Sequence, residues 1–297
     1  MFDQKYGGYF WLLGLKVKYS TKLAMVSRII FLGIFLLPLS LFAQPLRVLT
    51  YNIRLDTPAD GQDRWDNRKE AVAKTMLESR ASIIGLQEVL PQQLRYLEQQ
   101  LDGYWRYGVG REDGKEKGEF GPLFIDTSRM EVVNTSTMWL SATPRVPGKG
   151  WDAACERMAA FVWLSDRISG DTLLVCNTHW DHVGITARLE SAKMISSILS
   201  SSVGKGVKVI FMGDLNTPPD GEPISILKSR LVDSCPSELG GEGTFNGFDV
   251  TRVNFPRIDY VWYSLGSFRK VSYEVLHPMV NGRHVSDHFP VVVEFED

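Results

Sequence analysis

Short apolar runs alternate with helical patterns along residues 44–297 of this 297-residue chain. Runs such as LRVLTYNIR, SIIGLQEV and GVKVIFMGD are rich in branched and large apolar residues and end at polar or turn-forming positions, as strands of a buried sheet do. No internal repeat or low-complexity linker divides this part of the chain, so we expect it to form one domain. Strands flanked by turns, with few helices between them, favour a layered α/β or α+β sandwich over a regular parallel barrel.

Helical spacing of apolar residues is confined to a few segments. We predict four helices, over residues 63–79, 91–100, 186–202 and 223–228, the second of them opened by Pro91. Further strands are predicted in GPLFIDTS, RMAAFVWLS, DTLLVCNTH, RIDYVWYSL, RKVSYEVL and FPVVVEF. The charged and glycine-rich REDGKEKGE, residues 111–119, is expected to form an exposed loop.

Residues 1–43 differ from the rest of the chain. Basic residues precede IIFLGIFLLPLSLFA, a stretch of 15 residues without a charge that ends at Ala43, which is the order of a secretory signal peptide. Pro38 and Ser40 interrupt this run, which is shorter than the roughly 20 apolar residues that a spanning helix needs, so export to the periplasm or the medium is favoured over anchoring in a membrane. Met25 offers an alternative start for the same signal.

Charge and cysteine content exclude two classes of protein. Removal of residues 1–43 takes away five of the 33 Lys and Arg residues and one of the 35 Asp and Glu residues, which leaves a formal net charge of −6. An acidic average disfavours a protein that coats nucleic acid without selectivity. The three cysteines, Cys155, Cys176 and Cys235, are an odd number without close spacing, so no disulfide framework is predicted.

Polar side chains follow several of the predicted strands at the point where each strand ends. Asp214 and Asn216 stand two apart in VIFMGDLN, and on an extended strand such side chains face the same way. The other groups of this kind are Asn52, Glu88, His179 with Asp181, and Asp287 with His288. A buried carboxylate is costly unless it is paired or binds a cation, and a set of oxygen ligands suits Mg²⁺. The histidines would then be free for proton transfer.

Six segments in this order, TYNI, LQEV, NTHWDH, GDLN, RIDYVW and SDHFPV, resemble the motifs of the endonuclease/exonuclease/phosphatase superfamily. WDNRKEAV, MWLSATPRVPGKGWDAAC and GTFNGF are similar to an exported bacterial branch of it. The resemblance implies a four-layered α/β sandwich of the α+β class, in which two mostly antiparallel β-sheets pack face to face with helices outside. It also implies hydrolysis of a phosphodiester or phosphomonoester with Mg²⁺ or Mn²⁺.

The same resemblance implies two sets of site residues. The metal ligands would be Glu88, as the principal one, with Asn52 and Asp287. The catalytic residues would be His179, Asp214, Asn216, Asp259, His288 and Glu119. Asp214 and Asn216 would orient the attacking water and the phosphate. His288, held by Asp259, would contact the phosphoryl oxygens or act as the base, while His179, oriented by Glu119, would contact the phosphate from the other side.

Two other families of metal-dependent hydrolases have motifs that partly resemble segments of this chain. A metallo-β-lactamase-like site needs His-x-His before Asp181-His182, and a calcineurin-like site needs an acidic residue where Thr217 stands, so neither fits. Asp181 and His182 are expected to be loop residues. An exported binding module without turnover would keep the same fold, and it remains the alternative function.

The sequence is compatible with three classes of substrate, which are nucleic acid, a sugar phosphate and a lipid headgroup. Apurinic endonucleases carry an acidic residue two positions after the first asparagine, where this chain has Arg54, which makes a role on abasic DNA doubtful. Candidates for binding phosphate are Arg54, Arg111, Lys115, Arg145 and Arg157, and GTFNGF could supply an aromatic wall. No obligate protein partner is indicated, and we expect a monomer.

Overall fold

The computed structural model describes residues 8–12, 15–19, 44–236 and 242–296. The chain divides into two compact units, Met1–Gln44 and Pro45–Asp297. In the first unit, the strands β1 (Gly8–Leu12) and β2 (Leu15–Tyr19) form an antiparallel hairpin. The apolar run over residues 29–43 lies outside the described residues, so the signal peptide stays a prediction.

Strands are the most numerous elements of the second unit. In chain order they are β3 (Leu46–Asn52), β4 (Ile83–Gln87), β5 (Tyr104–Tyr107), β6 (Leu123–Asp126), β7 (Met130–Trp139), β8 (Met158–Asp166), β9 (Thr172–His179), β10 (Lys208–Asp214), β11 (Leu231–Asp233), β12 (Asp259–Ser264), β13 (Arg269–Val275), β14 (Met279–Val280), β15 (Arg283–His284) and β16 (Val291–Glu296). The α-helices are α1 (Trp65–Ser79), α2 (Pro91–Gln100), α3 (Ile185–Val203) and α4 (Glu222–Leu227), and a 3-10 helix covers Pro58–Asp63.

Two six-stranded sheets carry the fold. The first has the order β13-β16-β3-β4-β6-β5 and the second the order β11-β12-β10-β9-β8-β7. Each sheet contains one parallel pair, β3 with β4 and β9 with β10, and its other pairs are antiparallel. A small hairpin of β14 and β15 stands apart from both.

Three apolar layers show how these sheets pack. The inner faces meet in one cluster that includes Val48, Ile83 and Ile210. The outer face of the first sheet packs on α1 and α2, and the outer face of the second sheet packs on α3 and α4. Alternate residues of a strand enter opposite layers, as Val48 and Leu49 of β3 do. Burial of each such side chain stabilises the fold by about 1.5–3 kcal/mol. The predicted sandwich of two sheets with helices outside is confirmed.

A polar bridge crosses between the sheets inside this apolar interior. Gln87 Nε2, at the end of β4, donates to Asn177 Oδ1 of β9 at 2.8 Å. Asn177 Nδ2 donates in turn to the carbonyls of Leu86, at 2.8 Å, and Gly121, at 3.1 Å. Both side chains are fully or almost fully buried. The bridge therefore ties the two sheets together next to the strand ends that carry the site.

Local differences from the predicted elements have simple causes. The helix predicted over 63–79 begins at Trp65, because Pro58–Asp63 forms a separate 3-10 turn before it. The helix α2 has the predicted ends, and its start is capped by Gln93, whose Oε1 accepts from Leu90 N at 3.0 Å. Residues 111–119 form turns as expected, although their exposure is mixed. None of the described helices is both long and apolar enough to cross a membrane.

Candidate functional site

Both sheets deliver polar side chains to the same end of the sandwich. In the second sheet, Asp214 is paired in register with His179 of β9 on one side and with Asp259 of β12 on the other. In the first sheet, Asn52 ends β3 and Glu88 follows β4 directly. The segment before β16 supplies Asp287 and His288. The strand order thus assembles residues that are up to 236 positions apart in sequence.

Asp214 stands at the centre of this group. Its Oδ2 accepts from Asn52 Nδ2 at 3.0 Å. The same oxygen lies 3.5 Å from His179 Nε2 and 3.6 Å from His288 Nε2. Asn52 Nδ2 also donates to Glu88 Oε1 at 3.0 Å. The two imidazoles therefore face one carboxylate oxygen, and Glu88 is one amide group away from it.

Asp214 and Asn216 come together by a turn. The strand ends at Asp214, and Asn216 has the left-handed φ of 45°, so the alternation of an extended strand does not apply to this pair. Instead, Asp214 Oδ1 accepts from Asn216 N at 2.9 Å, as in an Asx turn. Asn216 Nδ2 then donates to His179 Nε2 at 3.1 Å and to the carbonyl of Trp180 at 3.0 Å. The two side chains thus meet at the site as expected, although the geometry that brings them there differs.

His288 and Asp259 form a buried pair. His288 Nδ1 donates to Asp259 Oδ2 at 2.9 Å, which leaves Nε2 pointing toward Asp214 and Asn52. Burial lowers the pKa of His288, but Asp259 and Asp214 outweigh it and hold that pKa well above its ordinary value. Thr244 holds the backbone at Asp259 in place, because its Oγ1 accepts from the backbone N of Ile258 and of Asp259, each at 3.0 Å.

Burial shifts the pKa values of Asp214 and His179 in opposite directions, each toward the uncharged form. Burial, with the charge of Asp259, raises the pKa of Asp214 to about 7. Burial and the nearby guanidinium of Arg157 hold the pKa of His179 well below its ordinary value. At neutral pH the site thus contains a charged imidazole at His288, a neutral one at His179, and a carboxyl group between them that can gain or lose a proton.

Glu88 and Asp287 converge on one positive charge. Arg54 Nη1 lies 4.0 Å from Glu88 Oε2 and 3.7 Å from Asp287 Oδ2. Burial raises the pKa of Asp287, although the positive charges of His288 and Arg54 act to lower it. Carboxylate oxygens that face a common positive charge are also suitable ligands for a hard divalent metal ion. A second group that could hold a metal consists of Asp214, Asp259 and His288, whose ligand atoms lie within 4.8 Å of one another.

The orientation of the Asn52 side chain differs from the one that its predicted role requires. Its amide nitrogen, and not its oxygen, faces Glu88 and Asp214, because Oδ1 accepts from Arg54 N at 3.0 Å. In this orientation Asn52 is a donor that holds two carboxylates in place, and its role as an oxygen ligand to the metal stays a prediction.

Glu119 also differs. Its Oε2 accepts from Arg111 Nη1 at 2.7 Å, and the expected hydrogen bond to His179 is not present between these two described residues. Asn216 takes that orienting position at His179 instead. Burial raises the pKa of Glu119, with Arg111 acting against it. Glu119 therefore places an arginine in the wall of the site.

Seven of these candidate residues line a cavity of about 380 Å³, namely Glu88, Glu119, His179, Asp214, Asn216, Asp287 and His288. Asn52 and Asp259 are buried and are not among the lining residues. Three of the five candidate phosphate ligands, Arg54, Arg111 and Arg157, are in its wall, whereas Lys115 and Arg145 are exposed and are not among the lining residues. Of GTFNGF, Phe245 contributes the expected aromatic wall, since its ring lies 4.9 Å from that of His288 in an edge-on contact. Thr244, in the same segment, was not singled out by the sequence, although its position inside a family-like motif was a signal for it.

Asp181 and His182 belong to the support of this wall. Asp181 is 1% exposed and accepts from the backbone N of Ala154, Val183 and Gly184. Its Oδ2 also lies 3.4 Å from Arg157 Nε, while Arg157 Nη2 is 3.0 Å from His182 Nδ1. Asp181 and His182 therefore hold Arg157 in position. Both lie in a loop, as expected.

Known proteins are similar to this chain in sequence and in fold. Residues 49–288 match the Endonuclease/Exonuclease/phosphatase family. A mannosyl-6-phosphatase from Bacteroides thetaiotaomicron is 34% identical, with a TM-score of 0.78, 85% of this chain covered and 100% of that chain. An endonuclease/exonuclease/phosphatase family protein of the same species is also 34% identical, with a TM-score of 0.77, 84% of this chain covered and 94% of that chain.

A curated relative is more distant. The RNA exonuclease NGL1 of Saccharomyces cerevisiae is 27% identical over an alignment that covers 48% of this chain, and the chain spans about half of its length, 49%. The family match covers most of the domain and includes every site residue described above, from Asn52 to His288. On this evidence the chain belongs to the Endonuclease/Exonuclease/phosphatase family.

Proposed function

We propose that this protein is a phosphoric ester hydrolase that depends on a divalent metal ion, Mg²⁺ or Mn²⁺. The observation that carries the proposal is the meeting of Asn52, Glu88, His179, Asp214, Asn216, Asp259, Asp287 and His288 around one cavity. The acidic pair Glu88 and Asp287 would hold the metal ion. When bound there, such an ion neutralises charge on the phosphoryl oxygens.

The chain's own residues suit the remaining steps. His288, fixed by Asp259, presents Nε2–H as a donor to a phosphoryl oxygen. Asp214 has a pKa of about 7, near the operating pH of a general base, and it can take the proton of an attacking water. The amide of Asn216 and the neutral ring of His179 border the opposite side of the cavity and can orient the phosphate.

A small phosphomonoester, such as a sugar phosphate, is the substrate class that we propose. The cavity volume falls in the range of about 300–1,000 Å³ for small-molecule sites. The formal charge of −6 after residue 43 is unfavourable for following a nucleic-acid backbone. Similarity to a mannosyl-6-phosphatase over the full length of that chain supports the same choice. Nuclease activity is the second candidate, because of the similarity to the yeast RNA exonuclease.

The test is a substrate panel run on residues 44–297 with Mg²⁺ or Mn²⁺. It contains hexose 6-phosphates, inositol phosphates, a bis-aryl phosphate, DNA, RNA and phospholipids. We expect turnover of a sugar phosphate, abolished by a chelator and by Asp214→Ala or His288→Ala. Turnover of RNA or DNA alone would replace the phosphatase with a nuclease. No turnover on any member, with the fold intact, would leave the exported binding module.

We also propose that residues 1–43 are an export signal and that the mature protein is a monomer. Sequencing of the N-terminus of the mature protein, purified from the periplasm or medium of an expressing bacterium, tests the first point. An N-terminus near residue 44 is expected. A retained apolar run in a membrane fraction would favour the anchored form. Light scattering of the mature protein tests the second point.

A further inference from the structure

The side chain of Arg54 is held in a fixed place at the acidic end of the cavity. Its Nε and Nη2 donate to the two oxygens of Asp60 at 3.0 and 2.9 Å. The remaining nitrogen, Nη1, faces Asp287 Oδ2 at 3.7 Å and Glu88 Oε2 at 4.0 Å. A two-point contact with one carboxylate fixes the direction of the planar guanidinium, so the position of Nη1 is set by Asp60.

The backbone of Arg54 is fixed as well. The residue has a left-handed φ of 58°, and its N donates to Asn52 Oδ1 at 3.0 Å. Its carbonyl accepts from Arg68 Nη2 at 2.7 Å and from Gln93 Nε2 at 2.9 Å. The side chain remains 30% exposed and lines the cavity. A charged group that is pinned at the backbone and at its far end, yet reaches the cavity, is positioned to meet a ligand.

This position has opposite consequences for the two ligands of the proposed reaction. A cation bound by Glu88 and Asp287 would lie next to a permanent positive charge, which repels it. An anionic phosphate in the same cavity would be attracted by that charge. We propose that Arg54, clamped by Asp60, weakens the binding of the divalent metal ion at Glu88 and Asp287 and strengthens the binding of phosphate. The proposal rests on the proposed function and identifies Arg54 as a specificity-determining residue.

Binding of Mn²⁺ alone measures the first consequence without any turnover. Mn²⁺ is titrated into metal-free protein and followed by electron paramagnetic resonance, for the wild type, Arg54→Met and Arg54→Lys. Arg54→Met should bind Mn²⁺ roughly tenfold more tightly, which is the effect of removing a unit charge about 5 Å from a double charge even at the dielectric constant of water. Arg54→Lys keeps the charge and should stay within about threefold of the wild type.

Inorganic phosphate measures the second consequence. In calorimetric titrations of the metal-free proteins, Arg54→Met should bind phosphate at least about fivefold more weakly than the wild type, because a charge-assisted contact is lost. Arg167→Met is the matched control, since Arg167 pairs with Glu131 at 3.2 Å and lies at the opposite end of β8 from the cavity residue Arg157. It should change neither affinity by more than about twofold.

The outcomes separate the two proposals. Mn²⁺ affinity that is unchanged or lower in Arg54→Met, while the wild type binds Mn²⁺, overturns the inference and leaves the proposed function standing. Absence of Mn²⁺ binding in both proteins overturns the metal site and with it the proposed function. Equal loss of both affinities, with a lower melting temperature than Arg167→Met, assigns Arg54 a structural role and also overturns the inference.

Discussion

Exchange of Asp259 for asparagine should abolish most activity without unfolding the protein. Asp259 Oδ2 lies 2.9 Å from His288 Nδ1, and the other oxygen, Oδ1, is buried without a hydrogen-bond partner among the residues that the structure describes. At an effective dielectric constant of about 20, a charge pair at ~3 Å is worth about 5–6 kcal/mol. This attraction is what keeps His288 protonated in spite of its burial. The neutral amide of the Asp259→Asn variant removes the attraction, and the imidazole should lose its proton at neutral pH.

The expected loss in kcat follows from the loss of one donor. A single preorganised donor to a developing oxyanion contributes about 10²–10³ in kcat, so Asp259→Asn should lower kcat by that factor. The loss of stability should be smaller than for a buried arginine pair, because His288 can give up its proton and leave no uncompensated charge, and because the substitution removes the repulsion between Asp259 and Asp214. The assay is the steady-state rate on the best substrate of the panel, beside thermal unfolding of the same sample.

Asp166→Asn is the matched control. Asp166 is 3% exposed and pairs with Arg129 at 3.0 Å, at the end of β8 away from the cavity. Disruption of this buried pair should cost about 3–5 kcal/mol of unfolding free energy and leave kcat of the folded protein unchanged. The reasoning is refuted if Asp259→Asn keeps more than a third of the wild-type kcat, or if Asp166→Asn lowers kcat of folded protein as strongly.

Three further outcomes are expected. Gly213→Ala should lower the melting temperature by more than about 5 °C and lower kcat, because Gly213 has a φ of 144° and an added Cβ would collide with the carbonyl of Thr178. Asn177→Leu should cost about 3 kcal/mol or more in urea unfolding, since it removes one acceptor of Gln87 Nε2 and the amide donor to the carbonyls of Leu86 and Gly121. Although burial raises the pKa of Asp181, backbone donors hold it below its usual value, so its stabilisation is present above about pH 4 and is lost as the pH falls through the folded-state pKa. Wild-type unfolding free energy should therefore decrease more steeply than that of Asp181→Asn between about pH 5 and pH 3, and parallel curves would contradict this assignment.

Strong local patterns made much of the fold predictable. The helix α2 was predicted with its observed ends, because Pro91 at its first position and the apolar spacing after it agree. The pattern did not assign β7, since NTSTM within it is polar and several of its side chains are exposed at the edge of the second sheet. An edge strand with one solvated face and a bulge between Val132 and Asn134 lacks the continuous apolar run of a central strand.

The proximity of the candidate site residues was predictable and their orientation was not. Strand ends brought Glu88, Asp214 and His288 together as the ordered segments indicated. The direction of the amide of Asn52 depends on Arg54 N, and the partner of Glu119 depends on how the loop of Arg111 folds back. Such choices are made by tertiary contacts between segments, and a linear pattern of residue types does not contain them.

The polar bridge between Gln87 and Asn177 has a mechanical consequence. The first sheet and its connections contribute three site residues, Asn52, Glu88 and His288, and the second sheet contributes His179, Asp214 and Asp259. The distances between these two sets of residues therefore depend on how the two sheets are placed relative to each other. Apolar faces tolerate a small sideways slip at low cost, because contact between such groups has no preferred direction. Hydrogen bonds are directional, so the bond between the Gln87 and Asn177 amides, close to the site, resists that slip. It keeps the spacing between the two sheets constant where the site residues meet.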